Sequence, residues 1–166
     1  MLDLVQIAIL SDTHMPRGTR RLPGRCVELL QEADLILHAG DFMAVAVLTQ
    51  LQAIGEVRGV HGNMDDALLR AMLPATMIVE LPGASIAMIH DAGPARGRLQ
   101  RLRLAFPDAD AVVFGHSHIP LHERGPDGFQ IFNPGSPTER RRAPRHTMGV
   151  ATLEGGELAF RLIELD

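Results

Sequence analysis

Seven side chains that commonly bind metal ions lie in five short clusters along this chain. In order they are Asp12 and His14, then Asp41, Asn63 and His90, and finally His116 and His118. Each cluster directly follows a run of apolar residues that is typical of a β-strand. Because the loops at the carboxyl ends of strands converge in α/β proteins, we expect these side chains to meet in one pocket. Oxygen and imidazole ligands gathered in this way indicate a site for divalent metal ions.

Each cluster has an ordinary structural alternative when it is considered alone. Asp12 could accept hydrogen bonds from backbone amides in a turn, and Asp41 could cap the helix that follows it. His90 could be a hydrogen-bonded core histidine. The pair His116 and His118 is more specific, because residues two apart in an extended segment share one side. Independent structural roles would not be expected to place all seven residues at strand ends, so the complete set favours metal binding.

Two of the seven residues could do more than bind one ion, and four further histidines lie outside the set. Asp41 could bridge two ions, since a carboxylate offers two oxygens, whereas Asn63 could give its oxygen to a metal or its amide N–H to a phosphate. His38 and His61 flank the clusters and are expected to orient or hydrogen-bond the ligands. The patterns around the remaining histidines, His122 and His146, indicate no function.

Length and composition limit the classes of protein that need consideration. The 166 residues fit one domain, residues 1–166, and a single cysteine, Cys26, excludes an internal disulfide and suits a reducing cytoplasm. No apolar run approaches the roughly 20 residues that span a bilayer. No basic stretch precedes the first apolar segment, so we expect no signal peptide. We therefore expect a cytoplasmic location. A net charge of -4 argues against general nucleic-acid binding, and the sequence leaves homo-oligomer formation open.

Strands and helices alternate in the first half of the chain. Strands are predicted at 4–10, 35–38 and 56–60, with helices near 25–32 and 43–54 and a short helix capped by Asp65 or Asp66. This rhythm predicts parallel strand pairing. The second half instead predicts a strand at 111–114, a helix near 96–105 and three hairpins, which pair 76–81 with 85–90, 119–123 with 129–132, and 148–153 with 158–165. The mixture indicates an α/β domain of two packed sheets with helices outside.

The ordered set D-x-H, GD, GN, H and GH-x-H resembles the signature of the calcineurin-like metallophosphoesterase family. The small bacterial and archaeal phosphodiesterases of that family also share the segments Ser11-Asp12-Thr13-His14, His38-Ala39-Gly40-Asp41 and Asn133-Pro134-Gly135-Ser136. The similarity spans residues 5 to about 137.

The resemblance implies an αββα sandwich of two mixed β-sheets flanked by helices, with a two-metal centre. By position, one ion would be held by Asp12, His14, Asp41 and His118. The second ion would be held by Asp41, Asn63, His90 and His116. Such a pair of ions would share a hydroxide that attacks a small phosphate ester. Mixed imidazole, carboxylate and amide ligands favour Mn²⁺, while Zn, Fe and Ni remain open.

Two positions depart from the family pattern. Many members carry a histidine where this chain has Met64, and a thioether has no proton to donate to a leaving group. The segment His90-Asp91-Ala92 keeps the ligand but not the residue that usually follows it. The resemblance implies a phosphodiesterase, with a phosphomonoesterase as the alternative enzyme and a non-catalytic scaffold, like the retromer subunit of this fold, as the alternative class. The presence of all seven ligands favours catalysis.

Overall fold

A computed structural model describes residues 3–15 and 18–166 of the chain. Residues 1 and 2, on which the signal-peptide prediction partly rests, lie outside it, as do residues 16 and 17. In chain order the described elements are β1 (Val5–Leu10), α1 (Gly24–Glu32), β2 (Leu35–His38), α2 (Val45–Ile54), β3 (Val57–Gly59), α3 (Ala67–Met72), β4 (Thr76–Leu81), β5 (Ala84–Ile89), α4 (Arg98–Ala105), β6 (Ala111–Val113), β7 (Leu121–Arg124), β8 (Gln130–Asn133), β9 (Thr147–Glu154) and β10 (Glu157–Glu164).

These strands form two mixed sheets of five strands each. The first sheet has the order β10-β9-β1-β2-β3 and the second β4-β5-β6-β8-β7. Strands β1, β2 and β3 pair in parallel, as the alternating rhythm predicts. The three predicted hairpins are also present, as the antiparallel pairs β4–β5, β7–β8 and β9–β10. The predicted αββα sandwich is therefore confirmed.

The apolar pattern of β1 explains why this strand lies at the centre of its sheet. Ile7 and Ile9 pack into the core between the sheets, whereas Ala8 and Leu10 pack into the core beneath the helices. A strand buried on both faces has a continuous apolar sequence, as β1 does. The inter-sheet core is completed from the second sheet by residues that include Ile86, Met88, Val113 and Phe132.

Helices cover the outer face of each sheet. Buried residues of α1, α2 and α3 pack on the first sheet, among them Cys26, Leu30, Leu48, Leu51 and Leu69. On the second sheet, α4 contributes Leu102, which packs with Val112, Phe114 and Ile131. None of the described helices is long and apolar enough to cross a membrane.

The topology brings the five ligand clusters to one end of the sandwich. The parallel strands β1, β2 and β3 end at the same edge of the first sheet, and the loops that follow them carry Asp12, His14, Asp41 and Asn63. Strands β5 and β6 are parallel in the second sheet, and His90, His116 and His118 follow them. The two sheets thus contribute complementary halves of one site.

Candidate metal centre

The structure brings all seven predicted ligands together in two adjacent groups. In each group of three, the ligand atoms all lie within 4.8 Å of one another. The first group is Asp12, His14 and His118, and the second is Asp41, His90 and His116. Asn63 joins the second group, because its Oδ1 lies 3.1 Å from His90 Nε2 and 3.2 Å from His116 Nδ1.

Asp41 lies between the two groups. Its Oδ2 is 3.5 Å from His14 Nε2 in the first group and 3.1 Å from His90 Nε2 in the second. Its other oxygen, Oδ1, accepts a hydrogen bond of 2.8 Å from the backbone N–H of Met64. Burial alone would raise the pKa of the Asp41 carboxyl, but the neighbouring His90 outweighs this effect and lowers it. A single carboxylate oxygen, Oδ2, therefore faces the ligands of both groups.

One oxygen of Asp12 has no hydrogen-bond donor among the described residues. Its Oδ2 accepts from Ser11 Oγ at 2.7 Å and from the His116 backbone N–H at 2.9 Å. Its buried Oδ1 is unpartnered and lies 3.4 Å from His118 Nε2 and 3.7 Å from His14 Nε2. Although burial raises the pKa of this carboxyl, the imidazoles of His118 and His14 hold it well below its usual range. A buried anionic oxygen without a donor fits a bound cation.

Hydrogen bonds to backbone carbonyls orient two of the imidazoles. His90 Nδ1 donates to the carbonyl of Ala39 at 2.8 Å, and His118 Nδ1 donates to the carbonyl of Glu139. A proton held at Nδ1 leaves Nε2 as the lone-pair nitrogen, which is how metal-binding histidines are commonly fixed. In both residues Nε2 points toward the carboxylates of the centre. By contrast, neither ring nitrogen of His14 has a partner among the described residues.

The backbone of the centre is strained. Five of the seven predicted ligands, Asp12, His14, Asp41, His116 and His118, have φ angles between 46° and 73°. This left-handed conformation is uncommon for residues other than glycine, and it concentrates at functional sites, where the surrounding structure holds it in place. The strain is a structural signal of function that sequence reasoning did not use.

Two glycines of the motifs are required by close approach of neighbouring loops. A Cβ on Gly62 would overlap the carboxylate of Asp41, and a Cβ on Gly115 would overlap the Ser11 side chain and lie 2.7 Å from Asp12 Oδ2. The absence of a side chain at Gly62 thus leaves room for Asp41, and its absence at Gly115 leaves room for Asp12. Any larger residue at either position would displace a predicted ligand.

Asp65 connects two ligand loops, a role that the sequence did not reveal. Its carboxylate accepts hydrogen bonds from the backbone N–H groups of Asp41 at 3.0 Å, Met43 at 2.8 Å and Gly62 at 2.7 Å. The predicted helix cap is its neighbour Asp66, which accepts from Leu69 N at 2.9 Å at the start of α3. Of the two alternatives for the cap, the structure thus selects Asp66. The only signal in the sequence is an aspartate two positions after Asn63, and its positioning role follows from the structure.

The end of β8 and the segment after it form hydrogen bonds to loops of both sheets. Asn133 Nδ2 donates to the carbonyl of Gly115 at 3.1 Å, and Ser136 Oγ donates to the carbonyl of Asp12 at 2.8 Å. Thr138 Oγ1 donates to the carbonyl of Thr13 at 2.6 Å. The resemblance marked residues 133–136 as a shared motif. In the structure, the side chains of this motif form hydrogen bonds to the backbone of two ligand loops.

His38 supports the first two loops through hydrogen bonds to Gly40 and Thr13. Its Nδ1 accepts from the backbone N–H of Gly40 at 3.1 Å, which leaves Nε2 to donate to Thr13 Oγ1 at 3.1 Å. Burial lowers the pKa of His38 to about 3, so the ring is neutral. Two other histidines lie outside both groups: His122 bonds Gln130 Oε1 at 2.8 Å, and His146 bonds Asp166 Oδ2 at 2.6 Å.

The two groups differ in exposure. Asp12, His14 and His118 are at most 1% exposed, whereas the His116 side chain is 43% exposed and Asn63 is also exposed. Beside the second group lies an open cavity of about 350 Å³. Its lining includes Asn63 and His90 of the centre, His61 and Asp91 next to them, and Arg70, Ala75 and Ile89. The centre is therefore accessible from its second group.

Comparison with known proteins identifies the family. Residues 5–156 match the model of the calcineurin-like phosphoesterase superfamily domain, and the chain belongs to that family. A protein of Methanothermobacter thermautotrophicus described as a probable metallophosphoesterase is 32% identical over 159 residues, covering 95% of this chain and 91% of its own length. The predicted family resemblance is thus confirmed.

Solved structures agree on the fold. A Thermotoga maritima protein determined by NMR is 29% identical, has a TM-score of 0.75 and covers 97% of this chain and 99% of its own. Wild-type Vps29 from Entamoeba histolytica, solved in complex with Zn²⁺, is 18% identical with a TM-score of 0.74, covering 97% and 99% of the two chains. At this identity the Vps29 similarity concerns the fold alone.

Proposed function

We propose that this protein is a metal-dependent phosphodiesterase that hydrolyses small phosphate esters at a two-metal centre. The observation that carries the proposal is the pair of ligand groups joined by Asp41 Oδ2, with a buried and unpartnered oxygen on Asp12. Asp12, His14, Asp41 and His118 would hold one divalent ion, and Asp41, Asn63, His90 and His116 the other. When bound, such ions act as Lewis acids toward a phosphate and activate water for attack.

With two divalent ions bound, the centre would carry a positive charge on a protein of net charge -4. Two divalent ions would outweigh the charges of Asp12 and Asp41, the two carboxylates among the seven ligands. A phosphate ester is an anion, so this local excess favours its binding despite the acidic surface. Mn²⁺ is the preferred activator in the proposal, because the ligand set mixes carboxylate and amide oxygens with imidazoles.

The cavity beside the second group supports an ester substrate with an organic substituent. Ala75 and Ile89 give it an apolar wall next to Asn63 and His90, and its volume of about 350 Å³ lies at the lower end of typical ligand pockets. We assign this cavity to an alcohol group of the diester, with the phosphate toward the exposed Asn63 and His116.

Met64 lies at the rim of the centre, where its backbone N–H donates to Asp41 Oδ1 and the residue is 45% exposed. Family members with histidine at this position have a proton donor there, and Met64 supplies none. The leaving alcohol must then depart without protonation from residue 64. We therefore assign this enzyme to esters whose leaving groups are stable as anions, such as aryl phosphodiesters.

The test is hydrolysis of an aryl phosphodiester and an aryl phosphomonoester by protein reconstituted with Mn²⁺. We expect faster turnover of the diester, and its loss in Asp41→Asn, because one oxygen serves both groups. Asp127→Asn is the matched control, because Asp127 is an exposed residue of the β7–β8 turn. Its carboxylate pairs with Arg103 of α4. Faster turnover of the monoester would assign a phosphomonoesterase. No turnover of either substrate by protein with two bound ions would favour the non-catalytic scaffold.

A further inference from the structure

We propose that Glu139 is a further metal-binding residue, which gives the first ligand group an additional carboxylate. The inference rests on the metal-dependent function proposed above, and it adds a residue that the seven-ligand pattern does not contain. Glu139 lies in the segment after β8 that forms hydrogen bonds to the loops of the centre. It is 125 positions after His14 in the chain.

The side chain of Glu139 has one occupied oxygen and one that is free. Its Oε1 forms a salt bridge of 2.8 Å with Arg20 Nη2. Its Oε2 is buried, has no hydrogen-bond partner among the described residues, and lies 3.8 Å from His14 Nε2. A buried carboxylate oxygen without a donor is costly, and a cation would satisfy it.

The distance to His14 matches that of the predicted ligands. Metal–ligand distances of about 2.0–2.2 Å place two ligand atoms of one ion roughly 3–4 Å apart. Asp41 Oδ2 and Asp12 Oδ1 lie 3.5 Å and 3.7 Å from His14 Nε2, and Glu139 Oε2 lies at 3.8 Å. The three carboxylate oxygens thus lie at similar distances from the same imidazole nitrogen.

The surroundings of Glu139 hold it in place at the first group. Its backbone carbonyl accepts from His118 Nδ1, and its backbone N–H donates to Ser136 Oγ at 2.8 Å. Arg20 connects the side chain back to the same group, since its Nη1 donates to the carbonyl of His14 at 3.4 Å. Glu139 is therefore linked to His118 through its backbone carbonyl, and to His14 through its side chain and Arg20.

An additional carboxylate would increase the chemical difference between the two ion sites. The first group would combine Asp12 and Glu139 with two imidazoles, while the second has the neutral Asn63 oxygen with two imidazoles, and both share Asp41. Carboxylate oxygens favour harder ions such as Mn²⁺ over softer ones. Glu139 should thus raise the affinity of the first group and its preference for Mn²⁺ over Zn²⁺.

The test is titration of the full-length, chelator-stripped protein with Mn²⁺, in which electron paramagnetic resonance measures the free ion. Wild-type protein should bind two ions, and Glu139→Gln should weaken one binding step by about 10-fold or more, the range seen when groups around a metal are removed. The other step should change less than about twofold, and competition with Zn²⁺ should show a lower preference for Mn²⁺. Asp127→Asn, which removes a carboxylate paired with Arg103 at 2.9 Å, should change neither step.

Each other outcome has a defined meaning. Wild-type binding of two ions together with an unchanged Glu139→Gln titration would overturn the role of Glu139 and leave the proposed function intact. Failure of the wild type to bind Mn²⁺ or Zn²⁺ would overturn both. If Glu139→Gln does not fold, Arg20→Gln replaces it, because release of the Arg20 contact should weaken the same step to a smaller extent. An unchanged titration of a folded Arg20→Gln would then overturn the role of Glu139.

Discussion

Replacement of Asp65 with alanine should separate the loops that carry the predicted ligands. Asp65 is 5% exposed, and its carboxylate accepts hydrogen bonds from three backbone N–H groups, two of them buried. A hydrogen bond to a charged group contributes about 1.5–3 kcal/mol. Counting only the two buried bonds, to Asp41 and Gly62, we expect Asp65→Ala to lower the free energy of unfolding by about 3–6 kcal/mol. That is a large part of the total stability of a typical domain.

The neighbouring cap residue provides the control. Asp66 accepts one hydrogen bond, from Leu69 N, and Asp66→Ala should cost only about 1 kcal/mol. Urea-induced unfolding of both metal-free variants, beside the wild type, measures the difference. Asp65→Ala should also weaken Mn²⁺ binding by about 10- to 100-fold, because the freed amides belong to the loops of Asp41 and Asn63. Equal destabilisation by the two variants, with unchanged metal affinity in Asp65→Ala, would refute the positioning role.

Three further predictions concern Met64, His38 and Cys26. Met64→His should speed the hydrolysis of alkyl diesters relative to activated aryl diesters. The gain should be at most about 10²–10⁴-fold, the contribution typical of a general acid. An unchanged ratio of the two rates would count against a missing proton donor at this position. Because burial lowers the pKa of His38 from 6.5 to about 3, the unfolded chain takes up a proton that the native protein does not, and stability falls as the pH drops from 6.5 toward 3. His38→Gln should reduce this slope by up to about 1.4 kcal/mol per pH unit in urea unfolding measured at several pH values, and equal slopes would contradict the prediction. Burial raises the pKa of Cys26 to about 12, so an aromatic disulfide reagent at pH 8 should label the thiol only after denaturation, and rapid labelling of native protein would be the contrary result.

Local patterns predicted the elements, while long-range contacts decided the rest. The apolar runs before each cluster predicted β1, β2 and β3, and turn residues predicted the three hairpins. The position of β9 beside β1 could not be predicted in this way, because the register from Val5 to Leu153 depends on packing between distant segments. For the same reason Glu139 carried no signal, since its partners His14 and Arg20 lie more than 100 positions away. Asp65 adjoins a motif, yet its acceptor role depends on how closely two loops approach.

The division of the ligands between the sheets also fixes when, during synthesis, the centre can form. The first three clusters are complete once the loop after β3 has been made, but His90, His116 and His118 follow strands of the second sheet and are made later. Strand β1 gains its second neighbour, β9, only when residues 147–154 have been made. A nascent chain that ends at the loop after β3 therefore holds four of the seven predicted ligands on an incomplete sheet. In the proposed two-metal centre, both ions could be held by their full ligand sets only after His118 has been made.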